Sequence, residues 1–414
     1  MKKVLFSLMC ACVALFAVSC EEDEVAKKYQ VTVTVSAEGQ ALSSLSNLQV
    51  TAAKDNGEAI SLTVDTVLNT YSFKVVAGSY KVSASAQNDN FNFIGETPIV
   101  VVDKDVEAAL VMKATPKKES GIIFKEIYYT GVMSYYFMDA FYELVNNSDK
   151  VQYLDGLVMC CVDRGYSDNY KWEQDSLGTL PPYYPTSGYV MMFPGSGKDY
   201  PLEPGQTVVV ANQAMDHSAR ELTDADTQSP SNLADADFEL FIPTSKKGVD
   251  NENVPNMIHI AGKGGYYFMP AVAGQPMMLF RFPEGVADSV YIADTLNYHS
   301  PVGSTSLSLC VTPDMIVDAV DMQRQGESRI VKVFAATEDA GYTYVTGTDE
   351  NDAEYATDFD SWTSPMYCGK SIRRKCTMVT AEGRAYFMDT NNSSNDFILG
   401  GQKAVVRRKF TTAD

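Results

Sequence analysis

The chain has 414 residues, 45% of them hydrophobic, and carries 53 acidic against 33 basic side chains, a formal net charge of −20. So acidic a chain repels phosphate backbones and anionic bilayer surfaces, which excludes nucleic acid as the expected partner. Its length allows two or three domains, and beyond the first twenty residues no apolar run approaches the ~20 residues that span a bilayer as a helix.

The N-terminus comes first in chain order. Lys2 and Lys3 precede an apolar run from Val4 to Val18, which ends in Ala17-Val-Ser-Cys20 and is followed by Glu21, Glu22, Asp23 and Glu24. A basic start, a short apolar stretch and small residues at its end are the parts of a secretory signal. The stretch resembles a bacterial lipobox, with Ala17 where leucine is usual. That resemblance implies cleavage before Cys20 and acylation of the cysteine, and several acyl chains at ~0.8 kcal/mol per buried CH₂ anchor stably. The acidic run resembles the export signal by which Bacteroidota-type lipoproteins reach the outer face of the outer membrane. Residues 1–19 are then a leader and 20–28 an acidic tether.

From Tyr29 a period of two sets in. Val31, Val33 and Val35 alternate with Thr32, Thr34 and Ser36, which predicts a half-buried strand. Leu48–Ala53, Tyr71–Val75, Tyr80–Ala86 and Glu107–Met112 repeat the pattern, with Gly57, Gly78 and Asn88-Asp-Asn90 as turns. A small antiparallel sandwich over residues 29–114 is expected. The stretch from Tyr71 to Ala84 resembles the F-x-V-x-x-G-x-Y-x-V hairpin of carboxypeptidase-regulatory-like and prealbumin-like modules. That resemblance implies a spacer, with Gly78 at positive φ and Phe73, Val75, Tyr80 and Val82 together across one ladder. Residues 115–120, polar and with a proline, are read as a linker.

The region 121–414 is again strand-rich, with runs at Ile122–Tyr129, Thr207–Ala211, Phe238–Ile242, Met277–Phe282 and Ile330–Phe334 and no long helical period. The expected class is all-β: two antiparallel β-sandwich domains in tandem, the second enlarged by long loops. Glu126-Ile-Tyr-Tyr-Thr-Gly, the run Asp139–Asp149, Leu154-Asp-Gly-Leu157, the run Leu202–Asn212, Val317-Asp-Ala-Val320, Lys370–Lys375 and Asp389–Phe397 follow one another in the order of a lamin-tail-type (Ig-like) domain. Alternate residues of Phe141–Val145 are expected to face a core, and from residue types alone Glu143 is expected to pair with Arg373 or Arg374. As a whole the chain resembles a family of Bacteroidota outer-membrane lipoproteins. The extra length falls in 163–197, 215–235 and 245–275, and loops that long usually carry function. Tyr166, Tyr170, Trp172, Tyr183, Tyr184, Tyr266 and Tyr267 cluster there and form the candidate binding face, since tyrosine and tryptophan offer large contact area with a polar tip.

Catalytic patterns are sparse. The three histidines, His217, His259 and His299, sit in no metal-ligating or triad spacing. Gly195-Ser-Gly-Lys198 lacks the upstream glycine of a phosphate loop and is read as a turn. The oxygen-rich run 389–396 is a weak candidate for structural Ca²⁺, and the acidic run 350–360 reads as a solvated loop. Of the cysteines expected in the mature chain, Cys368 and Cys376 flank a hairpin that a disulfide would close; buried thiols are the other reading. The expectation is a non-enzymatic surface lipoprotein that binds a ligand or partner, an outer-membrane barrel or a glycan, with no cofactor. An extracellular polysaccharide hydrolase or an adhesive subunit is the alternative.

Overall fold

The computed structural model describes residues 27–54, 59–88, 91–101, 103–116, 121–132, 136–163, 172, 183–223, 227–245, 248–271, 274–323, 332–344, 369–403 and 406–414. The leader, Cys20, the Glu21–Glu24 run, Tyr166, Tyr170, residues 350–360 and Cys368 lie outside them. The regular structure of the described chain is almost entirely strand, with two short α-helices at Asp288–Ala293 and Ser393–Asp396.

Residues 29–116 make a two-layer sandwich. One layer carries Ala59–Ile60, Ser46–Lys54, Gly78–Gln87 and Phe91–Val101; the other carries Val106–Pro116, Tyr29–Ala37, Thr70–Val75 and Thr63–Asp65. Val31, Val33 and Val35 are at most 1% exposed, while Thr34 and Ser36 face solvent, as the period of two requires. The 106–116 strand joins the layers. Its first seven residues pair in parallel with Val31–Ala37, and its last four pair antiparallel with 91–94.

The expected hairpin at Gly78 is absent. The 70–75 strand pairs with 29–37 and 63–65, whereas the 78–87 strand pairs with 46–54 and 91–101. The chain therefore crosses from one layer to the other at Val76-Ala77. Phe73 and Tyr80 still meet, but through the core, with ring centroids 6.3 Å apart. The Tyr80 hydroxyl donates to the Val76 carbonyl at 2.8 Å and pins the crossing, and Gly78 does not adopt a positive φ.

Two sheets build the larger region. A six-stranded sheet runs Phe238–Glu239, Thr207–Ala211, Phe141–Asn146, Ile122–Tyr128, Lys370–Arg374 and Phe397–Lys403. The second runs Tyr298–His299, Ser308–Val311, Tyr184–Met192, Val158–Val162, Met277–Phe280 and Ile316–Val320, with Ile258–Gly262 also on the 184–192 strand. Phe124, Ile127, Tyr142 and Leu144 from the first sheet pack on Met159, Cys161, Met191, Met277 and Leu279 of the second. Pairing is antiparallel throughout the described strands except at 29–37 with 106–116, 207–211 with 238–239, and Met322–Gln323 with Thr343–Tyr344.

Both sheets are covered on their outer faces as well. Every residue of 141–146 is buried, so Phe141 and Val145 do not mark a single core side. Phe141 packs with Ala214, Leu233 and Val254, and Val145 with Cys376 and Phe387. On the other sheet, Val158 and Phe280 are covered by Trp172, Val333 and Phe334. Much of the extra length thus shields apolar strand faces that would otherwise meet water. Of the stretches expected as loops, 163–197 contains the central 184–192 strand and 245–275 the 258–262 strand. Val333 and Phe334, expected in a strand, cover the core without sheet pairing.

Glu143 does not reach Arg373 or Arg374. The 122–128 strand lies between, so the arginines are two strands away, roughly 10 Å. Instead Glu143 pairs with buried Lys125 at 2.7 Å. Lys125 is the extra residue of a bulge, since Glu143 faces Glu126 and Leu144 faces Phe124. It also donates to the Arg407 carbonyl, and its ammonium lies 5.1 Å from the Phe410 ring. Arg373 is held by Asp414 through two bonds of 2.7 and 2.6 Å.

Candidate ligand-binding pocket

A pocket of about 370 Å³ opens beside the main core. Four segments build it. The 158–162 strand gives Cys161, the 184–192 strand gives Ser187, Gly188 and Tyr189, the 136–140 turn gives Phe137 and Met138, and the 264–269 loop gives two glycines, Tyr266, Tyr267, Phe268 and Met269.

Glycine makes this geometry possible. Gly262 has φ +74, and a Cβ there would lie 2.0 Å from the Gly188 carbonyl oxygen. A Cβ on Gly264 would lie 3.0 Å from the Tyr189 ring. The loop can therefore lie flat on the strand only without side chains at these points. The Tyr189 hydroxyl fastens it by donating to the Gly265 carbonyl at 2.8 Å. Phe268 anchors the far end, edge-on to Tyr142 at 5.4 Å.

Among the described residues, the pocket lining has no carboxylate, lysine, arginine or histidine. Its polar side-chain groups are the Ser187, Tyr189, Tyr266 and Tyr267 hydroxyls and the Cys161 thiol, and burial raises the thiol pKa strongly. Behind Cys161 stands Tyr142, fully buried, whose hydroxyl has no hydrogen-bond partner among the described residues. Burial, then the Cys161 and Tyr129 groups, hold that hydroxyl un-ionised.

Of the seven aromatic residues expected as one binding face, the five described are dispersed. Tyr266 and Tyr267 line the pocket. Tyr183 stacks on His299, centroids 4.1 Å apart and planes 9° from parallel. Tyr184 is core: its hydroxyl donates to Glu338 at 2.8 Å and accepts from the Ala335 amide at 3.1 Å. Trp172 is buried against the second sheet. Tyr166 and Tyr170 lie outside the described residues. Sequence reasoning missed Phe137, Cys161, Ser187, Tyr189 and Phe268. The available signal was the glycine pair before Tyr266-Tyr267, which marks a close backbone approach.

Other reactive groups are engaged elsewhere. Tyr136 donates to His217 Nδ1 at 2.7 Å, and His217 Nε2 donates to the Gln213 carbonyl at 3.0 Å. Nearby Asp139 accepts from Tyr128 at 2.9 Å and Ser229 at 2.6 Å. Both histidine nitrogens are occupied, and Ser229 donates to Asp139 rather than to His217, so the three do not form a serine–histidine pair. His259 Nε2 donates to the Ala261 carbonyl at 2.9 Å. The Gly195–Lys198 turn wraps the chain's own carboxylate: Asp155 accepts from the Gly197, Asp199 and Tyr200 amides at 2.8–2.9 Å, so those donors do not face an external anion.

In the 389–396 run, the Arg374 guanidinium takes the place of a cation. It meets Asp318 at 2.7 Å, Asp396 at 3.1 Å and Asp389 at 3.4 Å. Asp396 also accepts from the Thr390 amide and hydroxyl. Burial works against the Arg374 charge, and the three carboxylates outweigh it and raise its pKa. No group of three or more potential metal ligands occurs among the described residues. Cys376 is a free buried thiol, as are Cys160, Cys161 and Cys310, so no bridge closes the hairpin at Cys376.

Residues 203–404 match the family model described as "Protein of unknown function (DUF4876)". The matched stretch contains the 264–269 loop and Arg374, but not Cys161 or Tyr189. The chain is also similar to the crystal structure of a DUF4876 family protein from Bacteroides thetaiotaomicron VPI-5482, with 24% identity and a TM-score of 0.56 over 93% of this chain and 97% of that one. At that identity the likeness is one of fold, and it extends through both sandwiches. No curated protein matches the chain.

Proposed function

We propose that the chain is a non-catalytic binding module, tethered by acylated Cys20 to the outer face of an outer membrane, that holds a small ligand or presents it to an outer-membrane barrel. The observation that carries this reading is the pocket itself. It has aromatic walls and a fixed glycine-backed loop, and it lacks the acid and base pairs that bond cleavage needs. The leader, lipobox-like cysteine and acidic run support the location. A compact 29–116 sandwich between tether and pocket supports a spacer role.

The test is an affinity pull-down from membranes with the native lipidated protein, using Cys20→Ala as control. A stoichiometric barrel recovered only with the lipidated form supports an uptake accessory. Recovery of no partner, together with hydrolysis of a polysaccharide by the purified chain, overturns the reading.

A further inference from the structure

We infer that the pocket beside Tyr189 takes a neutral, largely apolar, ring-bearing molecule with at most one or two polar groups. This rests on the binding-module reading and goes further by naming the ligand class.

The argument begins with charge. An ion entering the pocket would shed its hydration and meet no counter-charge among the described lining residues. That disfavours phosphates, carboxylates and ammonium groups, even in so acidic a chain. Polyols fare poorly for a related reason. A sugar carries four or five hydroxyls, and each needs a partner once buried. The Tyr189 hydroxyl is spent on the Gly265 carbonyl and the Cys161 thiol is a weak donor, so among the described side chains the Ser187, Tyr266 and Tyr267 hydroxyls are at most what a sugar's four or five would meet.

The shape favours a ring. Phe137, Tyr189, Tyr266 and Phe268 offer aromatic surface, and rings pack on one another offset or edge-on. Met138 and Met269 at the margin are unbranched thioethers that mould to an aromatic edge. The floor is stiff, because Gly262 and Gly264 press the loop onto the strand and leave little room for collapse. A volume of about 370 Å³ suits one compact ring system.

Calorimetric titration of the detergent-solubilised full chain, with empty micelles subtracted, decides the matter. The probes are indole, indole-3-acetate and D-glucose. One indole should bind per chain, at least about tenfold tighter than its carboxylate analogue, with no heat from glucose. Ser187→Phe, which fills the pocket, should abolish binding. Tyr266→Ala removes a 55%-exposed ring at little risk to folding and should weaken it about threefold or more. Equal affinity for indole and its carboxylate, or indole binding unchanged in both variants, overturns the inference. Saturable glucose binding lost in Ser187→Phe overturns the ligand class while the binding-module reading stands. A silent indole titration beside a successful pull-down does the same.

Discussion

Arg374 and Asp318 stand 2.7 Å apart and belong to opposite sheets of the larger sandwich. Beside the pair lies the backbone of Phe124. Its amide donates to Asp318 at 2.7 Å, and its carbonyl accepts from Arg374 Nε at 2.7 Å. Phe124 adjoins the Lys125 bulge, and within the 122–128 strand only Glu126 and Ile127 pair with the 370–374 strand. The two side chains complete the hydrogen bonding where the ladder stops, as buried backbone demands. Asp389, Asp396 and the Phe397 ring 4.8 Å away enclose the same guanidinium.

Arg374→Met should therefore be among the most damaging single changes. It strands buried carboxylates and removes the donor to two backbone carbonyls, those of Phe124 and Met388, and breaking a buried pair in this way costs about 3–5 kcal/mol. Arg374→Lys should recover only part, because a lysine has no planar fork to reach Asp318, Asp396 and Phe124 together. Urea unfolding of the three proteins measures this. A loss under about 1 kcal/mol for the methionine variant would contradict the assignment.

The same cluster sets a pH dependence. Burial raises Asp318 to about 6 and Asp396 to about 7, with Arg374 pulling both downward. Between the unfolded carboxylate value, 3.8, and these folded values, the native state binds more protons than the unfolded one. Stability contributed by these groups is full near pH 4 and falls as pH rises toward 7. Burial raises Glu126, Glu143 and Asp139 too, with the same sign. His217, lowered by burial from 6.5, acts oppositely, losing stability as pH falls through that value. The expected sum is a higher melting temperature at pH 5 than at pH 7.5. Asp396→Asn should shrink that gap, and an unchanged gap would remove Asp396 from the explanation.

Gly262→Ala should distort the pocket. The residue sits at φ +74 with the Gly188 oxygen in the way of any Cβ. The strain alone costs about 1–3 kcal/mol. Gly265→Ala, where a Cβ meets nothing within 4 Å, is the matched control. Thermal melts of the pair, followed by the tyrosine near-ultraviolet signal, should show a loss for the first and little change for the second.

Asp155→Ala should release the 195–200 turn. It removes the acceptor of three amides, and a hydrogen bond to a charged group contributes about 1.5–3 kcal/mol. Hydrogen exchange at Gly197, Asp199 and Tyr200 should speed up sharply in the variant. Unaltered protection there would show that the loop holds itself.

The four described thiols should be silent in the native protein. Cys160, Cys161, Cys310 and Cys376 are buried, and burial raises each pKa, leaving little thiolate to react. Peptide mapping after iodoacetamide treatment should find them unmodified until denaturant is added. Modification at Cys376 without denaturant would mean that the segment ending at Asp414 opens readily.

Much of the architecture was legible because period-two patterning is a local signal. Val31, Val33 and Val35 declared a face, while the apolar runs at 207–211 and 277–282 marked strands without saying which face was covered. Pairing partners were not legible. Phe73 and Tyr80 read as hairpin neighbours, yet they face each other through a core, since strand order depends on contacts that no short window contains. Phe141–Val145 read as one-sided because the cover on its far face comes from residues 214–254 and 376–410. In the pocket, Tyr266 and Tyr267 were found by composition. Tyr184 and Trp172 were misplaced by the same criterion, for an aromatic in a long connection serves a core as readily as a surface. Tyr189 and Cys161 were hidden within strands.

The parallel pairing of Val31–Ala37 with Val106–Met112 has a mechanical consequence. The small sandwich is entered at the start of one strand and left at the end of its parallel neighbour. A tug between a tether before Tyr29 and the chain beyond Pro116 loads that seven-residue ladder lengthwise. Its hydrogen bonds must then slide and break together rather than unzip one at a time. If the chain is tethered at its N-terminus, this arrangement resists drag on whatever the distal sandwich holds.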